Sequence, residues 1–228
     1  MLISTVIGGT LAAAAAHGAF YRNSFVFGRA LGRLPTRDRR VALTFDDGPN
    51  PEATPRVLET LRRENVPACF FLLGRHVERH ADLARRVADE GHALGNHGFH
   101  HRRLHDRGPG YVRRDLQMGT DAIAEATGRR PAYFRAPHGF RSPWVTSIAR
   151  SLGQRTVGWT LGVWDSDRPG AEVIARRVID GCTPGAIVLL HDGDGYDPAG
   201  DRGQTADALP RIIRELREQG FEFVSLPA

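Results

Sequence analysis

Two adjacent carboxylates, Asp46 and Asp47, close an apolar run that begins at Val41, and Gly48-Pro49 ends that run at once. Successive side chains on a strand point to opposite faces, but the backbone turns at a strand end, where both acids can lean into one site. Like charges that close repel unless a metal or a proton is assigned to one of them. His97 and His101 lie four residues apart, within reach of one ion. With one carboxylate they form the two-nitrogen, one-oxygen ligand set of catalytic zinc, which leaves a position for water. His191 ends the most apolar run in the chain, residues 186–190. With an aspartate to hold its proton it becomes a general acid, and without one it is a structural hydrogen-bonding residue. Asp165 and Asp192 are the candidates for that holder. Together these residues point to metal-assisted hydrolysis.

The elements that must position them are legible as alternation. Strands are expected at 41–45, 68–73, 93–96, 133–135, 155–160, 186–190 and 221–224, with helices at 54–64, 81–90, 111–127, 143–152, 171–180 and 205–219. Gly91, Gly128, Gly153, Gly181 and Gly220 each follow a helical segment, where a left-handed cap is expected. Short strands alternating with helices imply parallel βα units, and this number of units in one domain fits an α/β barrel. In such barrels the chemistry sits at the C-terminal strand ends. Asp46 and Asp47 end the first strand, His97 and His101 follow the third, Arg135 ends the fourth, Asp165 follows the fifth and His191 ends the sixth. The loop 192–203, rich in Gly and Asp, reads as a mobile flap over the site.

Of the 228 residues 41% are apolar and 25% charged, the balance of a globular domain with a sizeable core. The net charge is +5, and all 31 basic side chains are arginine. They are mixed with acids, as in Arg214-Glu215-Leu216-Arg217-Glu218, so no nucleic-acid partner is expected. Cys69 and Cys182 read as buried free thiols. Residues 1–21 are apolar and Ala-rich, as in a signal peptide with an exit at Ala14-Ala15-Ala16, or in an uncleaved membrane anchor. The arginines at 22, 29 and 33 follow this segment and none precedes it, which opposes export by the positive-inside rule. An exported or membrane-anchored, extracytoplasmic protein is the expectation, with residues 22–40 as a linker and a single domain over 41–228.

The chain resembles the polysaccharide deacetylases with a NodB-type domain, carbohydrate esterase family 4, over about residues 40–226. Five ordered motifs carry the resemblance. The first, Thr44-Phe45-Asp46-Asp47-Gly48-Pro49, is intact, and the resemblance implies Asp46 as general base and Asp47 as metal ligand. In the second, His97 and His101 match the metal histidines, but Gly98 replaces a Ser or Thr whose hydroxyl braces the loop. The third supplies Arg135, which pairs with the base, and Pro137; His138 replaces an aromatic whose N–H is an oxyanion donor. The family's Asp-x-x-Asp-Trp becomes Gly162-Val163-Trp164-Asp165-Ser166, keeping only Asp165, the holder of the catalytic histidine. The indole wall is lost there, and Trp164 or Trp159 is the candidate replacement. The fifth motif, Leu189-Leu190-His191, implies an acetyl-methyl pocket at Leu189 and the general acid at His191.

The resemblance implies a distorted (β/α)7–8 barrel preceded by an N-terminal apolar segment. It also implies hydrolysis of N-acetyl groups on a chitin- or peptidoglycan-type glycan. The cofactor expected is a divalent metal, zinc first, with cobalt or another divalent ion compatible. The partners expected are an N-acetylated glycan and, through the leader, a membrane; a monomer is expected. Two alternatives stay open: an O-acetyl esterase on an envelope or plant glycan, and a non-catalytic glycan-binding envelope protein.

Overall fold

The computed structural model describes residues 2–227. In chain order the elements are α1 (Leu2–Phe20), β1 (Arg40–Asp46), α2 (Ala53–Arg63), β2 (Ala68–Leu72), α3 (Gly74–Arg79), α4 (Ala81–Asp89), β3 (Ala93–Asn96) and α5 (Pro109–Thr127). There follow β4 (Tyr133–Phe134), α6 (Val145–Ser151), β5 (Arg155–Thr156), β6 (Leu161–Gly162), α7 (Ala171–Gly181), β7 (Ala186–His191), α8 (Gly203–Glu218) and β8 (Glu222–Phe223). Every strand pairing is parallel, in the order β5-β4-β3-β2-β1-β7-β6, with β8 on the base of β1. This is the α/β barrel of parallel strands expected, open along one seam.

Alternation along the central strands sets what faces inward. Val41, Leu43 and Phe45 of β1, with Ala186, Val188 and Leu190 of β7, pack into the main core with residues of α2, α7 and α8. The intervening Ala42, Cys69, Phe71 and Ile187 join Tyr133, Leu34 and Leu226 in a second cluster, which fills the barrel interior. Continuing that inner row toward the C-terminal ends gives Thr44 and Asp46 on β1 and Leu189 and His191 on β7. Asp46 is in register with both Phe71 and His191, so these ends lie at one level.

Of the expected strand 155–160 only 155–156 is strand, as β5, and the next strand, β6, begins at Leu161. β5 pairs with β4, and β6 pairs with β7, so the chain crosses the seam between them at 157–160. Local periodicity cannot reveal this, because the break is set by which distant neighbour each strand reaches. An earlier segment crosses the seam: Leu31 N–H donates to Thr156 O (2.9 Å) and Gly158 N–H to Leu31 O (3.0 Å) along the β5 edge, and Leu34 N–H donates to Gly185 O (2.9 Å) at the base of β7. Among the described residues, no helix is long and apolar enough to cross a membrane. Cys69 is buried, Cys182 is half-buried, and both are free.

α5 positions a site residue by breaking its own pattern. Pro109 opens it, and Gly128, at φ 69°, ends it in the left-handed cap conformation. Its buried face runs Val112, Asp115, Leu116, Gly119, Thr120 and Ile123. An acid in phase with that apolar stripe needs partners.

Candidate active site

The inner row delivers Asp46 without special geometry, whereas Asp47 would point outward if the strand continued. It does not continue: Asp47 sits at φ 73°, in the left-handed region. That turn swings its carboxylate into the mouth, where Oδ1 lies 3.4 Å from His97 Nε2 and 3.2 Å from His101 Nε2. The ring nitrogens and carboxylate oxygen of these three buried residues lie within 4.8 Å of one another. Asp47 Oδ1 is buried without a hydrogen-bond partner, the condition of an atom that awaits a cation. His97 Nδ1–H donates to Arg135 O (2.8 Å), which leaves the Nε2 lone pair directed at the cluster. Burial holds His97 well below the usual imidazole range and His101 down at about 4, so both are neutral, as ligands must be. The residues fit a divalent metal.

Around this cluster stand two charge-paired groups. Arg135, fully buried, donates to Asp46 Oδ1 (2.6 Å), Thr44 Oγ1 (2.8 Å) and Gly158 O (2.8 Å), and its guanidinium lies 4.1 Å from the Phe71 ring centroid. Burial lifts Asp46 to about 6 despite the pull of Arg135, poising it near neutrality as a proton acceptor. His191 Nδ1–H donates to Asp165 Oδ1 (2.8 Å), while Asp165 Oδ2 accepts from the His191 N–H (2.8 Å) and Thr205 Oγ1 (2.9 Å). Burial alone would lower the His191 pKa, but the carboxylates of Asp165, Asp47 and Asp46 outweigh it and raise it to about 9. Asp192 is not the holder; its Oδ2 accepts from Thr54 Oγ1 (2.5 Å), and burial lifts it to about 7.

The cleft that holds these groups measures about 660 Å³, within the range of roughly 300–1,000 Å³ for small-molecule sites. Leu189, Trp164 and His138 line it, and Pro137 is buried in the tight turn Pro137–Gly139, where His138 takes φ 59°. The His138 ring lies 4.7 Å from that of His101 and accepts from or donates to Tyr196 OH (3.2 Å).

Among the supporting residues, Asp115, Asn96 and Arg202 escaped the sequence reading, whereas Trp159 was one of the two indoles expected to replace the lost wall. Asp115 braces the 97–101 loop in place of the missing hydroxyl. Its carboxylate accepts from the N–H groups of Phe99 (3.1 Å) and His100 (3.2 Å) and from His100 Nδ1 (2.7 Å). Asn96 Oδ1 accepts from Gly98 N–H (2.8 Å). The signal for Asp115 was its phase on the apolar face of α5. Trp159 fills the space beside Gly162: a Cβ at Gly162 would come 2.9 Å from the indole Nε1, and one at Gly139 2.7 Å from its far edge. The loop expected to be a mobile flap is tied down by Arg202, which donates to Gly193 O (2.7 Å), Ser166 O (3.0 Å) and Asp194 Oδ2 (2.8 Å).

A parallel barrel whose mouth gathers Asp47, His97 and His101 beside the Arg135–Asp46 and Asp165–His191 pairs fits a hydrolase, and comparison with known proteins gives the family. The polysaccharide deacetylase family profile matches residues 33–157, over half of the chain. A chitooligosaccharide deacetylase of Rhizobium leguminosarum bv. trifolii is 40% identical over 196 residues, 83% of this chain and 91% of the relative. A solved peptidoglycan N-acetylglucosamine deacetylase superposes with a TM-score of 0.79 at 31% identity, covering 87% of this chain and 91% of that one. A CE4 family pseudoenzyme from Bacillus anthracis gives a TM-score of 0.76 at 31% identity, covering 84% of this chain and 65% of that one. The chain belongs to the polysaccharide deacetylase family and is an enzyme of that hydrolytic class. The fold is shared with a pseudoenzyme, so it is the Arg135–Asp46 and Asp165–His191 pairs, not the fold, that bear on activity.

Proposed function

We propose that this enzyme removes N-acetyl groups from N-acetylglucosamine units of a chitin- or peptidoglycan-type glycan, outside the cytoplasm. One observation carries this reading: the Arg135–Asp46 and Asp165–His191 pairs open into the same cleft as Asp47, His97 and His101. Asp47, His97 and His101 would hold a divalent ion, zinc by its ligand set, and when bound it would polarise the acetyl carbonyl and acidify water. Asp46, aligned by Arg135, takes the proton of the attacking water. The His138 backbone N–H donates to the developing oxyanion. His191 gives its proton to the departing amine nitrogen, and Asp165 stabilises the charge on the ring until then. Leu189 and Trp164 bound the space for the acetyl methyl and the sugar.

Acetate release by the zinc-loaded chain from chitooligosaccharides, peptidoglycan and O-acetylated xylan tests this. The expected result is acetate with an equal amount of new free amine from one or both N-acetylated substrates, abolished by chelation and restored by zinc or cobalt. Acetate from the xylan ester alone would replace the amide reading with an esterase.

A further inference from the structure

The segment ahead of the barrel is fastened to it by a buried charge, that of Arg141. Arg141 is 1% exposed, and a guanidinium so buried needs acceptors. It finds them in Ser24 O (2.7 Å) and Gly28 O (2.9 Å), with Thr146 Oγ1 at 3.4 Å, and its own N–H donates to Ala19 O (3.0 Å). Arg22 Nε and Asn23 Nδ2 both donate to Trp159 O (3.1 and 2.9 Å), and the Arg22 guanidinium lies 5.1 Å from the centroid of that indole. Residues 19–34 thus run as a strap from the cleft rim down the open seam.

The strap sets one aromatic ring at the mouth. Phe20 lines the same cleft as Asp46 and Asp47, yet it remains 55% exposed. It packs edge-on against Phe140 (5.3 Å), which lies 5.9 Å from His138, which in turn lies 4.7 Å from His101. Phe20 is therefore joined to His101 of the Asp47–His97–His101 group by a short row of rings. An exposed apolar ring on a polar cleft suits the C–H face of a pyranose, which is apolar while its edges carry the hydroxyls.

We infer that Phe20 is a stacking platform for a sugar of the glycan next to the one that bears the scissile acetyl group, so that the strap forms part of the substrate site. This rests on the glycan reading above. The chemistry required of the ligand is a β-linked, N-acetylated sugar chain longer than the catalytic site alone can hold.

The test measures KM and kcat for zinc-loaded full-length wild type, Phe20→Ala, Phe20→Tyr and Phe25→Ala on chitooligosaccharides of increasing length. Phe25, 75% exposed and absent from the cleft lining, is the control. Phe20→Ala is expected to raise KM for the pentamer about tenfold and for the dimer much less, with Phe20→Tyr restoring the wild-type value. Equal KM changes at every length, or no rescue by Tyr, would overturn the platform and leave a structural role. Loss of binding to anionic phospholipid vesicles by Phe20→Ala with no KM change would also overturn it. Calorimetric binding of chitopentaose to the metal-free chains separates this inference from the catalytic reading. Tighter binding by wild type than by Phe20→Ala keeps the platform even if nothing is hydrolysed; equal binding removes it even if hydrolysis is efficient.

Discussion

Gly98 and Gly162 both stand where the motifs that this chain resembles call for a larger polar side chain, and the space beside each is used in opposite ways. Beside Gly98 the replacement is electrostatic: the Asp115 carboxylate gathers two backbone N–H groups and the His100 ring, so the loop between the metal histidines keeps its brace. Beside Gly162 the replacement is only volume, since the Trp159 indole lies where a Cβ would have to go and brings no acid. The metal-histidine loop thus retains its polar support, while the β6 side retains one acid, Asp165, for its histidine. Loss of a motif residue is harmless where a neighbour supplies the same hydrogen bonds, and transfers the whole burden to the survivor where it does not.

The largest effect should come from that survivor. Asp165→Asn should cost about 10²–10⁴-fold in kcat for the amide, with less loss on an activated ester that leaves without an acid. The pH profile sharpens this. His191 is raised to about 9, so its acidic form is present below that value and activity falls as pH rises through it. In Asp165→Asn the largest of the raising charges is gone while burial stays, so the alkaline limb should move to lower pH; an unmoved limb would remove His191 as the acid. Next in size, Asp115→Ala should weaken zinc binding by about 10–100-fold, measured by competition with a chelator, because the His loop loses its brace. Smallest is Gly98→Ser, which restores the family hydroxyl but at φ +80°, with its Cβ 2.6 Å from Asp115 Oδ2. It should lower stability by ~1–2 kcal/mol in thermal melts and leave zinc affinity no better than wild type. A gain in affinity would show that Asp115 is no substitute.

What the sequence made legible is what local pattern controls. The apolar run ending in Asp46-Asp47, the strand ends bearing His97, Arg135 and His191, and the glycine-closed helices all depend on neighbours in the chain. The break after Thr156, where the chain crosses from one edge to the other, was hidden, because it depends on β4 and β7. The anchoring of residues 22–40 was hidden too: their Gly and Pro punctuation is that of a linker, and the residue that seats them, Arg141, lies more than a hundred positions away. Asp115 lay between these extremes, visible as an acid on an apolar helical face but with no partner to name.

The division of labour between the paired acids is central to the proposed mechanism, and Asp46→Asn tests it most directly. Zinc content and kcat for chitooligosaccharide deacetylation are measured on one preparation. Wild-type zinc content is expected, because Asp47, His97 and His101 are untouched, with kcat reduced by at least about 10²-fold. Full metal-dependent turnover in Asp46→Asn would contradict it.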